Sequence, residues 1–200
     1  MGTAFEEGAG LEIAAGGMER GAGATGRSSL QHLWPLDCGG SLKAADIPKL
    51  VFYIIVCQLA GGIGSYFTRP AIPTWYATLK KPLLTPPDWV FAPVWITLYV
   101  LMGISVFLVW RETRYGKPRQ KALFLFWIQL GLNAFWSYLF FGLHSPLAGL
   151  VGIIALVVCI FLTLRIFLRI SFPAGLLLIP YLLWVGYAAG LNFSIYILNC

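Results

Sequence analysis

Three groups of residues in this chain recur at helical spacing and carry side chains able to hold a ligand. Trp95, Tyr99, Met102 and Val106 follow at i, i+4, i+7 and i+11, so they share one face of a helix. Gln129, Asn133, Trp136 and Phe140 form a second stripe, and Trp184, Ala188 and Leu191 a third. Indole and phenol rings suit stacking on a flat apolar molecule, and a few amides fix its orientation. Nothing in these stretches resembles an acid–base pair or a nucleophile with its base. Any turnover would therefore be radical chemistry through tryptophan. Cys38, Cys57, Cys159 and Cys200 have no metal-binding spacing, so neither a disulfide framework nor a zinc site is expected.

The elements that must position these stripes follow from composition. Hydrophobic residues make up 58% of the chain, charged residues only 11%, and the mean hydropathy is +0.77. A soluble domain carries about 25% charged residues, so lipid must solvate much of this surface. Five apolar stretches, about Pro48–Phe67, Trp89–Trp110, Ala122–Phe141, Ser145–Leu164 and Pro173–Leu198, are each close to the roughly 20 residues a spanning helix needs. Strand-like alternation is absent, and backbone groups in lipid must bond internally. The expected fold is an all-α membrane protein, a five-transmembrane-helix bundle over residues 47–200. Residues 1–46 are rich in Gly, Ala and Ser, resemble no signal peptide, and are expected to form a disordered extension.

Several local features are legible. Thr85-Pro86-Pro87-Asp88 has the form of a capping box with Pro86 at the first helical position. Pro93 is expected to kink or widen the start of the second helix. The turn Gly142–Ser145 is short enough to make the third and fourth helices antiparallel neighbours. Buried amides are costly in a membrane, so Gln129 and Asn133 should face the interior, with Asn133 an interhelical hydrogen-bond partner. Gly186 and Gly190 suit close helix contact, within the chain or between copies. Trp75, Trp89 and Trp110 read as interfacial anchors, whereas for Trp95, Trp136 and Trp184 spacing leaves core packing and ligand contact both open. Nine cations (Lys43, Lys49, five in 111–121, Arg165 and Arg169) lie on the N-terminal side against three, Arg69, Lys80 and Lys81, on the other. The positive-inside rule then puts the N-terminus in the cytoplasm. The net charge of +6 comes from these short connections flanked by apolar runs, which favours a membrane surface over nucleic acid as the partner.

The segment Trp75-Tyr76, Lys81-Pro82, Pro86-Pro87, Trp89-Val90-Phe91, Val94-Trp95, Leu98-Tyr99, Met102-Gly103 and Trp110 resembles the translocator protein / tryptophan-rich sensory protein family (TspO/MBR, the peripheral-type benzodiazepine receptor). Gln129, Asn133, Trp136 and Phe140-Phe141-Gly142 match further, as do Pro180-Tyr181-Leu182-Leu183-Trp184, Ala188 and Leu191-Asn192. The resemblance spans about residues 48–199. It implies a membrane receptor or sensor, homodimeric, with a pocket that binds porphyrins such as protoporphyrin IX and haem, sterols and other small lipophiles. It implies no required cofactor; the porphyrin is a ligand. By the matching motifs, Trp95, Tyr99, Asn133, Trp136, Trp184, Ala188 and Leu191 would contact the ligand, with Trp95 and Trp184 as catalytic residues if porphyrin is degraded oxidatively. A passive sterol or lipophile translocator is the other alternative. The implied location is a mitochondrial outer membrane in a eukaryote, the endoplasmic reticulum or a bacterial envelope.

Two departures from the family pattern carry expectations. Tyr196 is followed by Ile-Leu-Asn-Cys, with no Lys or Arg to complete the animal cholesterol pattern. Ala148 and Gly152 stand where animal members carry Trp and Asp, so the fourth-helix wall of the pocket is expected to be wider and less polar. Coupled transport is disfavoured, because the carboxylates nearest a span, Asp88 and Glu112, sit at helix ends.

Overall fold

The computed structural model describes residues 43–113 and 116–200. The expected disordered extension lies, up to residue 42, outside the described residues. Five helices carry the chain: α1 (Ile47–Ala71), α2 (Asp88–Glu112), α3 (Lys117–Ser137), α4 (Pro146–Ile170) and α5 (Phe172–Leu198). All five are long and apolar enough to cross a membrane, and there is no strand among the described residues. The chain is a multi-pass membrane protein built as a five-helix bundle.

Helix boundaries follow local chemistry. Ser145 accepts the Ala148 N–H at 3.2 Å and Ser171 the Ala174 N–H at 3.4 Å, so α4 and α5 each begin at a serine cap with proline in the first turn. Ser171 also closes α4, its N–H donating to Phe167 O at 2.7 Å. One residue thus ends one span and starts the next. A 3-10 turn at Ala44–Asp46 leads into α1.

The first span is longer than the apolar run alone suggests. Pro70 and Pro73 lack the N–H that would continue the α ladder, and the helix opens into a π-helical segment, Ile72–Tyr76. A second π-helical segment, Tyr138–Gly142, ends the third span. Trp75 is therefore helical, not in the loop. Its ring lies 5.4 Å from that of Phe140 and 4.9 Å from that of His144, so it packs inside the bundle end rather than anchoring in lipid. Trp89 is exposed, as an anchor would be. The predicted capping box does not form: α2 starts at Asp88 behind Pro87 with no side-chain cap, and the Thr85 hydroxyl bonds back to Pro82 O at 2.8 Å. Two consecutive prolines hold the chain extended there. From Asp88 to Glu112, α2 remains one α-helix through Pro93.

Neighbouring helices form a closed ring in the order α1, α2, α5, α4, α3 and back to α1. The third and fourth helices pack side by side across the short turn, as their spacing predicts. Close approach is set by small residues: a Cβ on Gly103 of α2 would lie 2.7 Å from the Ile54 Cα of α1. Buried Ser105 donates to Ala174 O at 2.7 Å, tying α2 to the start of α5. The main core gathers Met102, Val106, Phe126, Ile160, Phe167, Leu178 and Tyr181, and a smaller cluster at the loop-side end holds Tyr76, Phe140 and Phe141. Gly186 and Gly190 are exposed, and nothing lies within 4 Å of a Cβ at either. They serve no close packing among the described residues.

Candidate functional site

Between the main core and the loop-side cluster lies a cavity of about 500 Å³, inside the range of roughly 300–1,000 Å³ typical of small-molecule sites. Trp95 and Tyr99 reach it from α2, Asn133 and Trp136 from α3, and Trp184, Ala188 and Leu191 from α5. The structure thus brings together all seven residues that the sequence singles out for ligand contact.

Its inner end is fixed by hydrogen bonds joining three helices. Tyr99 Oη donates to Asn133 Oδ1 at 2.5 Å, and Asn133 Nδ2 donates to Tyr181 Oη at 2.9 Å. Asn133 is 2% exposed and Tyr181 is 0%, so these bonds satisfy groups that lipid could not. Asn133 is both the interhelical partner and a cavity-lining residue. Trp95 stacks on Tyr99 at 5.5 Å and 28°, and meets Tyr181 edge-on at 6.3 Å. The hydrogen-bonded phenols therefore hold the indole in place. Trp184 meets Phe91 edge-on at 6.0 Å, and Trp136 stacks on Phe140 at 5.7 Å and 20°. Flat aromatic faces dominate the walls.

Charge is confined to the rim. Arg69 and Asp88 are the charged residues that line the cavity, and both are exposed at its loop-side end. Lys81 Nζ lies 4.1 Å from the ring centroid of Tyr76, itself a lining residue. The loop between α1 and α2 is pinned to α5: Asn199 accepts the Lys80 N–H and donates to Lys80 O, both at 3.0 Å, and Tyr187 donates to Leu84 O.

Sequence reasoning gave α1 no place in the site. Gly61, Gly64, Ser65, Thr68, Ile72 and Tyr76 nevertheless form one wall. Their signal was a stripe of small and hydroxyl residues at i, i+3, i+4 and i+7, less conspicuous than tryptophan. Asn192, 2% exposed and lining the cavity, was likewise given no role. The converse holds for α4, which contributes no lining residue. The expectation that Ala148 and Gly152 widen one wall is corrected. Gly152 faces Leu139 and Trp136, and Gly149 faces Phe140 and Asn192, so α4 supports residues that line the cavity without reaching it. Gln129 is buried as expected, yet its amide has no hydrogen-bond partner among the described residues.

Comparison with known proteins agrees with this geometry. The pattern of the TspO/MBR family matches residues 53–198. The "Tryptophan-rich protein TspO" of Archaeoglobus fulgidus is 47% identical over 154 residues, covering 77% of this chain and 99% of its own length. The "Translocator protein" of Bos taurus is 35% identical over 147 residues, 73% of this chain and 87% of its own. The "Tryptophan-rich sensory protein" of Cereibacter sphaeroides is 34% identical over 125 residues, 62% of this chain and 77% of its own. With five membrane-spanning helices, an aromatic cavity between them and a match running through every span, the chain belongs to the TspO/MBR family of membrane proteins.

Proposed function

We propose that this protein is a membrane receptor or sensor that binds tetrapyrroles, such as protoporphyrin IX or haem, and other small lipophiles in the cavity between its helices. The observation that carries this reading is the aromatic wall. Trp95, Trp136 and Trp184 come from three different helices and line one space of about 500 Å³. A flat macrocycle gains stacking and apolar burial there. The charge pattern supports the same orientation: Arg69 and Lys81 stand at or beside the loop-side rim, where ligand carboxylates would keep contact with water. Asp88, the carboxylate that lines the cavity, is exposed. That suits a binding site better than an ion-coupled carrier, which needs an ionisable group within the membrane.

Titration of protoporphyrin IX into purified protein tests the proposal, with Trp95→Phe and Trp184→Phe beside wild type. Saturable quenching of micromolar or tighter affinity, weakened in both variants, is expected. Binding that does not saturate, or is indifferent to both substitutions, overturns it. Illumination of the saturated complex then separates receptor from porphyrin-degrading enzyme by whether product accumulates.

A further inference from the structure

At the end of the bundle where α1 and α3 begin and α2 finishes, cations from three helices gather on one aromatic pair. Lys49 Nζ, from α1, is 4.1 Å from the ring centroid of Trp110 on α2, and the guanidinium carbon of Arg119, from α3, is 5.1 Å from it. Those two charges are therefore no more than about 9 Å apart. Phe107 stacks on the same indole at 6.3 Å and 22°, and Arg111 lies 6.0 Å from the Phe107 centroid. A ring face attracts each cation but neutralises none of them. Lys49 and Arg111 form no salt bridge with a described carboxylate, and Asp46, one turn before Lys49, accepts the Lys43 N–H at 3.3 Å. Like charges brought this close favour an anion among them.

The surroundings say what kind of anion. Because α1 and α3 both start at this end, residues that follow Lys49 and Arg119 lie deeper in the membrane. Tyr53, one turn after Lys49, and Trp127, two turns after Arg119, meet across the α1–α3 seam with ring centroids 6.3 Å apart. Phe52 beside Tyr53 is exposed, as are Phe124 and Trp127 on α3, and in a multi-pass membrane protein such surfaces face acyl chains. Lys49 is exposed, and Trp110 and Arg119 are partly so. Cations at the membrane surface thus stand above an open apolar seam, the layout of a phospholipid with its headgroup above its chains.

We propose that Lys49, Trp110 and Arg119 form a binding site for the phosphate of an acidic phospholipid, with an acyl chain lying along the α1–α3 seam. A phosphodiester can accept charge-assisted hydrogen bonds of about 2.7–2.9 Å from an ammonium and a guanidinium at once, and the separation of Lys49 and Arg119 is within reach of one such group. Arg111 adds to the same positive field. Phosphatidylcholine brings its own ammonium, which this field repels, so the site selects lipids of net negative charge. None of these residues lines the cavity, and the proposal stands independently of the tetrapyrrole reading.

Native mass spectrometry of the full chain tests this, from mixed micelles holding equal amounts of dioleoylphosphatidylglycerol and dioleoylphosphatidylcholine. The ratio of the two lipids retained within one variant is insensitive to any fraction that fails to fold. Wild type is expected to favour phosphatidylglycerol, with the ratio falling about fivefold in Lys49→Gln and in Arg119→Gln. Lys49→Arg keeps the charge and should restore it. Arg169→Gln removes one cation from α4 at the same end of the bundle and should leave the ratio within about twofold of wild type. Equal retention of both lipids by wild type, or a ratio unchanged in either glutamine variant, overturns the site. A fall in Arg169→Gln as large as in the other two shows that net charge alone attracts the lipid, and overturns it as well. Millimolar inorganic phosphate should not displace the lipid; displacement would assign the cations to free phosphate and overturn the phospholipid.

Discussion

The Tyr99 hydroxyl, on α2, donates to the side-chain oxygen of Asn133, on α3, at 2.5 Å inside the apolar bundle. Asn133 passes the connection to Tyr181 of α5 at 2.9 Å, so one amide sets the spacing of three helices beneath the cavity. Asn133→Leu leaves two phenols without this partner and is expected to destabilise the protein by about 1–3 kcal/mol. Tyr99→Phe removes a single bond and should cost nearer 1 kcal/mol. Reversible unfolding in mixed micelles measures both. A leucine variant as stable as wild type would show that the bonds contribute nothing net.

Asn199 grips the backbone of Lys80 at both its N–H and its C=O, which holds the loop between α1 and α2 against the end of α5. Removing that grip with Asn199→Ala should speed hydrogen exchange at the Lys80 amide and hasten release of a bound porphyrin. Exchange as slow as in wild type would mean that Tyr187, bonded to Leu84 O, secures the loop without help.

Two glycine positions should respond in opposite ways. A Cβ at Gly103 meets backbone, the Ile54 Cα at 2.7 Å, so Gly103→Ala is expected to cost about 1–3 kcal/mol by forcing α1 and α2 apart. Nothing lies near a Cβ at Gly190, and Gly190→Ala should leave stability within about 1 kcal/mol of wild type. If the homodimer that the family resemblance implies uses this open face, Gly186→Leu and Gly190→Leu will lower the dimer fraction in cross-linking without unfolding the monomer. A dimer untouched by both places its contact elsewhere.

Trp110 supplies a control for every tryptophan substitution. Its ring centroid is 4.1 Å from Lys49 Nζ and 5.1 Å from the Arg119 guanidinium carbon, and it is not among the cavity-lining residues. Trp110→Phe should weaken these cation–π contacts by about 1 kcal/mol or less and leave porphyrin affinity unchanged. An affinity loss matching that of Trp184→Phe would mean that the quenching assay reports general damage rather than the cavity.

The number of helices, their approximate spans and the inward direction of Asn133 were legible in the sequence, because lipid imposes simple demands. A span needs a minimum apolar length, and a buried amide has nowhere to go but the bundle interior. The seven ligand-contact candidates came from the resemblance to the TspO/MBR family; helical spacing by itself left core packing and ligand contact both open for Trp95, Trp136 and Trp184. Which stripes share a space was not legible, since that depends on the order of helices around the ring. The order α1, α2, α5, α4, α3 puts the small-residue stripe of α1 on the cavity and keeps α4 behind Phe140 and Asn192. Helix ends followed backbone detail beyond periodicity: Pro70 and Pro73 opened a π segment that carried Trp75 into the bundle, and Pro86-Pro87 delayed α2 to Asp88. The pairing of polar groups was also a tertiary outcome. Asn133 found two phenols on other helices, while Asn192 and the indoles of Trp136 and Trp184 found no partners among the described residues. A side chain's hydrogen bonds depend on what neighbouring helices bring within 3 Å, and only the assembled bundle decides that.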